Sequence, residues 1–110
     1  MSVPWAAGSM YSTTEDLLKW EQALFNSKLL NKDSLKLMLT PGKGSYRLGV
    51  YVFANKAGIT IVTHAGAIAG FKTSLSYVPD KRIAIVVLSN VEGEATNSIT
   101  DQLITEALKQ

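Results

Sequence analysis

The sequence predicts an α+β domain: a twisted antiparallel sheet, about four strands in a meander, packed with two helices that precede it and one that follows. Apolar residues recur at helical spacing as far as Leu39, and the period changes to that of extended chain from Tyr46. The connections between the extended runs are too short for parallel crossovers, which selects antiparallel pairing. No repeat and no low-complexity segment divides the chain, so residues 1–110 read as one domain.

Taken in order, Ser12 and Glu15 stand at capping-box spacing, with Met10 or Tyr11 available as a staple, and a helix is expected to begin near Thr13 or Thr14. Leu17, Trp20 and Leu24 share one face of that helix and read as core. Asn31 is placed to cap a second, short helix carrying Leu35, Met38 and Leu39, which Pro41 and Gly42 end. Extended runs follow at residues 46–54, 59–64, 72–78 and 83–89, with turn signals at 55–58 and 79–81. The last run lacks alternation, since residues 83–88 are apolar throughout, and a strand of that kind needs cover on both faces. One cover is the C-terminal helix, through Ile99, Leu103 and Ala107 with Ile104 and Leu108 beside them.

Composition narrows the function classes. A chain of 110 residues with 46% hydrophobic content can build a core. It has no cysteine and a single histidine, which removes disulfide frameworks and the usual zinc sites, and no cofactor or metal is expected. A net charge of +2, scattered in short groups, offers no basic stripe, so no nucleic acid partner is expected. No apolar run approaches the roughly 20 residues of a membrane span, and residues near Met1 lack the basic-then-apolar pattern of a secretory signal.

The stretch from His64 to Phe71, reading His-Ala-Gly-Ala-Ile-Ala-Gly-Phe, interrupts a strand-like run and carries the chemistry. It follows a β-branched run, so His64 is expected at a strand end, and Gly66 removes a side chain where a turn, a bulge or another backbone comes close. Read singly, the glycine is a turn former and the histidine an ordinary surface group. The longer pattern is more specific: His64-x-Gly66, Gly70-Phe71, a strand, Tyr77-Val78-Pro79-Asp80-Lys81, an apolar strand, then Leu88-Ser89-Asn90.

That pattern resembles the C-terminal part of the serine β-lactamase and penicillin-binding-protein-like family, in particular its class C branch with related esterases and D-aminopeptidases. The family's third motif reads Lys-Thr-Gly or His-x-Gly, and Ala6 to Leu17 is similar to the family's entry into a helix. The family's Ser-x-x-Lys and Tyr-x-Asn or Ser-x-Asn patterns are not found in these 110 residues; the nearest miss, Ser34-Leu35-Lys36, has a spacing that turns the two side chains apart. The chain is therefore expected to be a C-terminal piece of a larger serine hydrolase, inactive alone, with the remaining N-terminal part of the parent as its partner. The resemblance is compatible with an exported parent.

What the resemblance implies for the site is an acyl-enzyme reaction on a β-lactam, peptide or ester, with this chain supplying one wall. His64 matches the motif's first position, Ala65 and Gly66 line the substrate, and the Ala67 backbone N–H serves as one oxyanion-hole donor. Ala65 departs from the threonine version and removes a hydroxyl that could hold a substrate carboxylate, and histidine in place of lysine makes the local charge depend on pH. Asn90 reads first as a turn residue, and Trp5, Tyr46 and Phe71 as core or rim with a ligand role second. A non-catalytic binding or scaffolding module with the same sheet is the alternative. The apolar strand at 83–89, left as an open edge, is expected to drive self-association.

Overall fold

The computed structural model describes residues 5–110, the Trp5 side chain excepted. After a short 3-10 turn come helices α1 (Thr14–Phe25) and α2 (Lys32–Leu39), strands β1 (Tyr46–Arg47), β2 (Val50–Ala54), β3 (Thr60–Ile68), β4 (Phe71–Val78) and β5 (Ile83–Ser89), and helix α3 (Ala95–Leu108). The strands form one five-stranded sheet in the order β1-β2-β3-β4-β5, every pair antiparallel. The α+β class and the meander stand.

Local chemistry sets the helix ends. The Asp16 N–H donates to Thr13 Oγ1 at 3.2 Å, so Thr13, not Ser12, caps α1; the hydroxyl of Ser12 turns instead to the Thr13 carbonyl. Asn31 caps α2, its Oδ1 accepting from the Ser34 N–H at 2.8 Å. At the far end of α1, Ser27 takes a left-handed φ of 62° while the Lys28 N–H donates to the Ala23 carbonyl, closing the helix as a Schellman turn usually does with glycine.

Two expectations about strands are corrected. Residues 46–54 are a hairpin, not one strand, because Leu48 (φ 50°) and Gly49 (φ 92°) turn the chain and pair Arg47 with Val50. His64 is not at a strand end: β3 continues to Ile68 and folds back through Ala69-Gly70 onto Phe71, with Gly70 at φ 82°.

The sheet separates two half-cores. On one face Val50, Val52, Val62 and Tyr77 pack with Phe25, Met38 and Leu39 of the first two helices. Phe25 stacks on Tyr77 with ring centroids 4.5 Å apart, and the Tyr77 hydroxyl bonds Asn26 Oδ1 at 3.1 Å. On the other face Ile61, Val78 and Ile85 meet Ile104 and Leu108 of α3. Helices from both faces thus reach β5, the cover that its unbroken apolar run required.

The helix stripes differ from their sequence reading. In α1 the buried positions are Glu21 and Leu24, whereas Trp20 is 49% exposed. In α3 they are Thr96, Thr100 and Ile104, whereas Ile99 and Leu103 face solvent. Threonine can replace an aliphatic residue there because the Thr100 hydroxyl donates to the Thr96 carbonyl at 2.8 Å, leaving its methyl to pack.

Candidate functional site

His64, Ala65, Gly66 and Ala67 lie consecutively in the second half of β3, and all four are exposed. What makes this half unusual is that β3 outruns β2. The last β2–β3 pairing is Tyr51↔Thr63, whereas pairing with β4 continues from Val62↔Tyr77 through to Ile68↔Phe71. Beyond Thr63 the strand therefore has a neighbour on one side only, among the described residues.

The direction of the free backbone groups follows from the register. The Asn55 N–H donates to the Ile59 carbonyl and the Val52 N–H to the Ser45 carbonyl, so odd-numbered residues of β2 face β3 and even-numbered ones face β1. Tyr51 opposes Thr63, which turns the Thr63 backbone toward β2, and the two-residue period of a strand turns Ala65 and Ala67 the same way. Their N–H and C=O groups face the side that β2 has vacated. Such a half-paired strand can accept an extended peptide, or present an N–H to a carbonyl oxygen.

The side chains around it have distinct settings. The His64 ring lies 5.9 Å from the Tyr46 ring and 6.0 Å from the Tyr51 ring, and those tyrosines sit 4.6 Å apart as a cross-strand pair. A β-carbon on Gly66 would stand 2.6 Å from Thr73 Oγ1, so the close approach that this glycine permits is by its own partner strand. The hairpin tip is tied down from outside the sheet: the Gly70 N–H donates to Glu92 Oε1 at 2.7 Å, and Lys72 Nζ lies 3.4 Å from Glu94 Oε1. Asn90 follows β5 in an exposed bend, and Phe71 is half-exposed beside the hairpin turn. The reading of Trp5 as core or rim, with a ligand role second, concerns a side chain outside the described part of the structure.

Tyr51 and Glu21 were not singled out from sequence. The Tyr46–Tyr51 pair exists only through the Leu48-Gly49 turn, and leucine at a positive φ is a signal no turn preference supplies. Glu21 does stand four residues after Leu17 and three before Leu24, on the buried stripe of α1, but a carboxylate there reads as surface. It is 2% exposed, its Oε2 finds no hydrogen-bond partner among the described residues, and burial pushes its pKa from 4.5 up to about 8. Burial likewise raises the pKa of Tyr77, with Arg82 opposing and Glu21 adding to the shift. Among the described residues no cluster of three or more histidine, cysteine, aspartate or glutamate side chains could hold a metal ion, and no helix is long and apolar enough to cross a membrane.

Comparison with known proteins assigns the family. The Beta-lactamase family model matches residues 1–109. The chain belongs to that family. It is also 28% identical over 111 aligned positions to PbpX of Bacillus subtilis (strain 168), named as a penicillin-binding protein. That alignment takes in 100% of this chain and 27% of the relative, so the chain spans about a quarter of the relative's length. The resemblance carried by His64-x-Gly66, Gly70-Phe71 and the strands after them thus holds at the level of the serine β-lactamase and penicillin-binding-protein-like family.

Proposed function

We propose that this chain supplies one wall of the acyl-transfer site of a β-lactamase-like serine hydrolase, whose attacking serine and activating lysine belong to another part of the parent protein. The half-paired stretch of β3 carries this reading, because it leaves the Ala65 and Ala67 backbone groups free beside an exposed histidine. In the proposed reaction a substrate carbonyl is attacked by the serine and negative charge gathers on its oxygen. The Ala67 N–H is one of the two fixed donors that hold this oxyanion, and a donor of that kind is worth about 3–4 kcal/mol. Ala65 lends its backbone to an extended substrate and Gly66 keeps β3 close to β4. His64 hydrogen-bonds the substrate or the reacting groups, with Tyr46 and Tyr51 fixing its ring from one side.

Substrates of this reading are acyl compounds with a carbonyl presented at a strand edge: a β-lactam, a peptide or an ester. The chain alone, lacking Ser-x-x-Lys, turns over none of them. Its test is a titration of the isotopically labelled chain with benzylpenicillin and with an N-acetylated dipeptide, following backbone amides by NMR. The Ala65 and Ala67 amides and the His64 ring are expected to shift together and to saturate. Saturation with shifts confined to another surface, or none at all with both compounds, overturns the proposal.

A further inference from the structure

The cavity between α1 and the sheet holds a polar group that the strand site does not use. Its volume is about 270 Å³, and its walls include Trp20, Glu21, Leu24, Phe25, His64 and Leu75. The lining is mostly hydrocarbon and aromatic surface, with one carboxyl group set into it. Glu21 is 2% exposed, and its Oε2 is buried with no partner among the described residues. Buried polar atoms nearly always have a partner, and an acid placed against apolar walls without one is a cost the fold tolerates only for a reason.

We propose that this cavity is a binding site for a primary ammonium group on a short apolar stem, with Glu21 as its counter-ion. Charge and shape both favour this occupant. An ammonium supplies the donors that Oε2 lacks, in a charge-assisted bond that low surrounding polarity strengthens. The stem packs on Leu24, Phe25 and Leu75, and Trp20 adds aromatic surface to the same wall. At 270 Å³ the space falls just under the roughly 300 Å³ at which pockets for drug-sized ligands begin, which suits a small amine. A hard divalent cation is a poor fit, because it takes about six or more oxygen ligands and Glu21 is the one carboxylate lining the cavity. A free alkylamine and a lysine side chain share this chemistry. The site stands on Glu21 and its cavity, and not on the acyl-transfer reading of β3.

Binding also moves a proton. Burial holds the Glu21 carboxyl largely protonated near pH 7, so an arriving ammonium displaces that proton to solvent and leaves a carboxylate–ammonium pair. The other titratable or charged groups nearby are His64, which lines the cavity, Tyr77, which is coupled to Glu21, and Arg82, which acts on Tyr77.

Isothermal titration of the 110-residue chain at pH 7 with n-butylammonium, with Nα-acetyl-lysine methylamide and with 1-butanol tests the site. Saturable binding is expected for at least one of the two amines, and which one binds identifies a free amine or a lysine side chain as the source. The neutral alcohol is expected not to saturate, and Glu21→Gln to weaken amine binding roughly 10- to 100-fold. Repeating the wild-type titration in buffers of different ionisation enthalpy reads the released proton, an arm that stands even where Glu21→Gln fails to fold. Equal binding of 1-butanol, unchanged affinity in a folded Glu21→Gln, no saturation by either amine, or binding without proton release would each overturn the assignment.

Discussion

At the scale of single residues, Glu21 makes the stability of this chain depend on pH in a direction opposite to that of most carboxylates. Its pKa is raised on folding, so the folded state holds the proton more tightly than the unfolded one. The stabilising proton is bound in both states below about pH 4.5 and is lost only from the unfolded state between there and about pH 8. Across that window stability falls as pH rises, by up to a few kcal/mol for this one group. Thermal melts between pH 5 and 9 are expected to show the decline, and Glu21→Gln, neutral at every pH, to flatten it and to exceed the wild type at the alkaline end. A wild-type melting temperature that rises steadily to pH 8 and matches the variant's would remove Glu21 as the cause. Nothing in the local sequence marks this residue, because a glutamate within an amphipathic helix is read as solvated until a sheet is laid over it.

At the scale of elements, the β3–β4 hairpin is where a sequence reading comes closest to the site and still misplaces it. Gly66 was expected to admit something close, and the neighbour is Thr73, a β-branched side chain with little freedom to turn away. Gly66→Ala is therefore expected to cost about 1–3 kcal/mol. In a Thr73→Ala background the same change is expected to be neutral or stabilising, since the obstacle is gone and alanine restricts the unfolded chain more than glycine does. Denaturant midpoints of the four proteins in that cycle decide it, and equal costs in both backgrounds would show that the contact is not the reason for the glycine. Helix caps were more legible. Asn31 caps α2 where its sequence position says it should, and Asn31→Ala is expected to lower stability by about 0.5–2 kcal/mol in the same measurement. A cap is a bond between near neighbours, so local sequence suffices to find it. The stripe of α3 is not local: whether Ile99 or Thr100 faces the sheet depends on how the helix is rolled against β5, and that is set by packing.

At the scale of the whole molecule, β5 closes the sheet on one side and has no strand beyond it among the described residues. Its pairing with β4 runs Lys72↔Ser89 to Val78↔Ile83, which by alternation turns the backbone groups of Ala84, Val86 and Leu88 outward. An apolar strand with a free ladder of donors and acceptors is a template for another chain, and the protein is expected to self-associate through it. Sedimentation over a wide range of concentration should reveal the association. Leu88→Lys, a charge on the exposed end of that edge, should reduce it. A monomer at all concentrations would show that the edge is protected.

Legible in the chain before any folding were the α+β class, the order of helices and strands, the cap of the second helix, the apolar strand that needs two covers, and the family carried by His64-x-Gly66 and the strands after it. Each of these depends on periodicity or on residues close together in the chain. It took the packed structure to show that β3 outruns β2 and so frees the Ala65 and Ala67 backbones, that Tyr46 and Tyr51 both stand beside His64, and that Glu21 Oε2 is buried without a partner among the described residues. The physical reason is the same in all three: strand register and helix roll are fixed by how separate elements pack together, and a one-residue slip in either would carry a different set of groups to the open side.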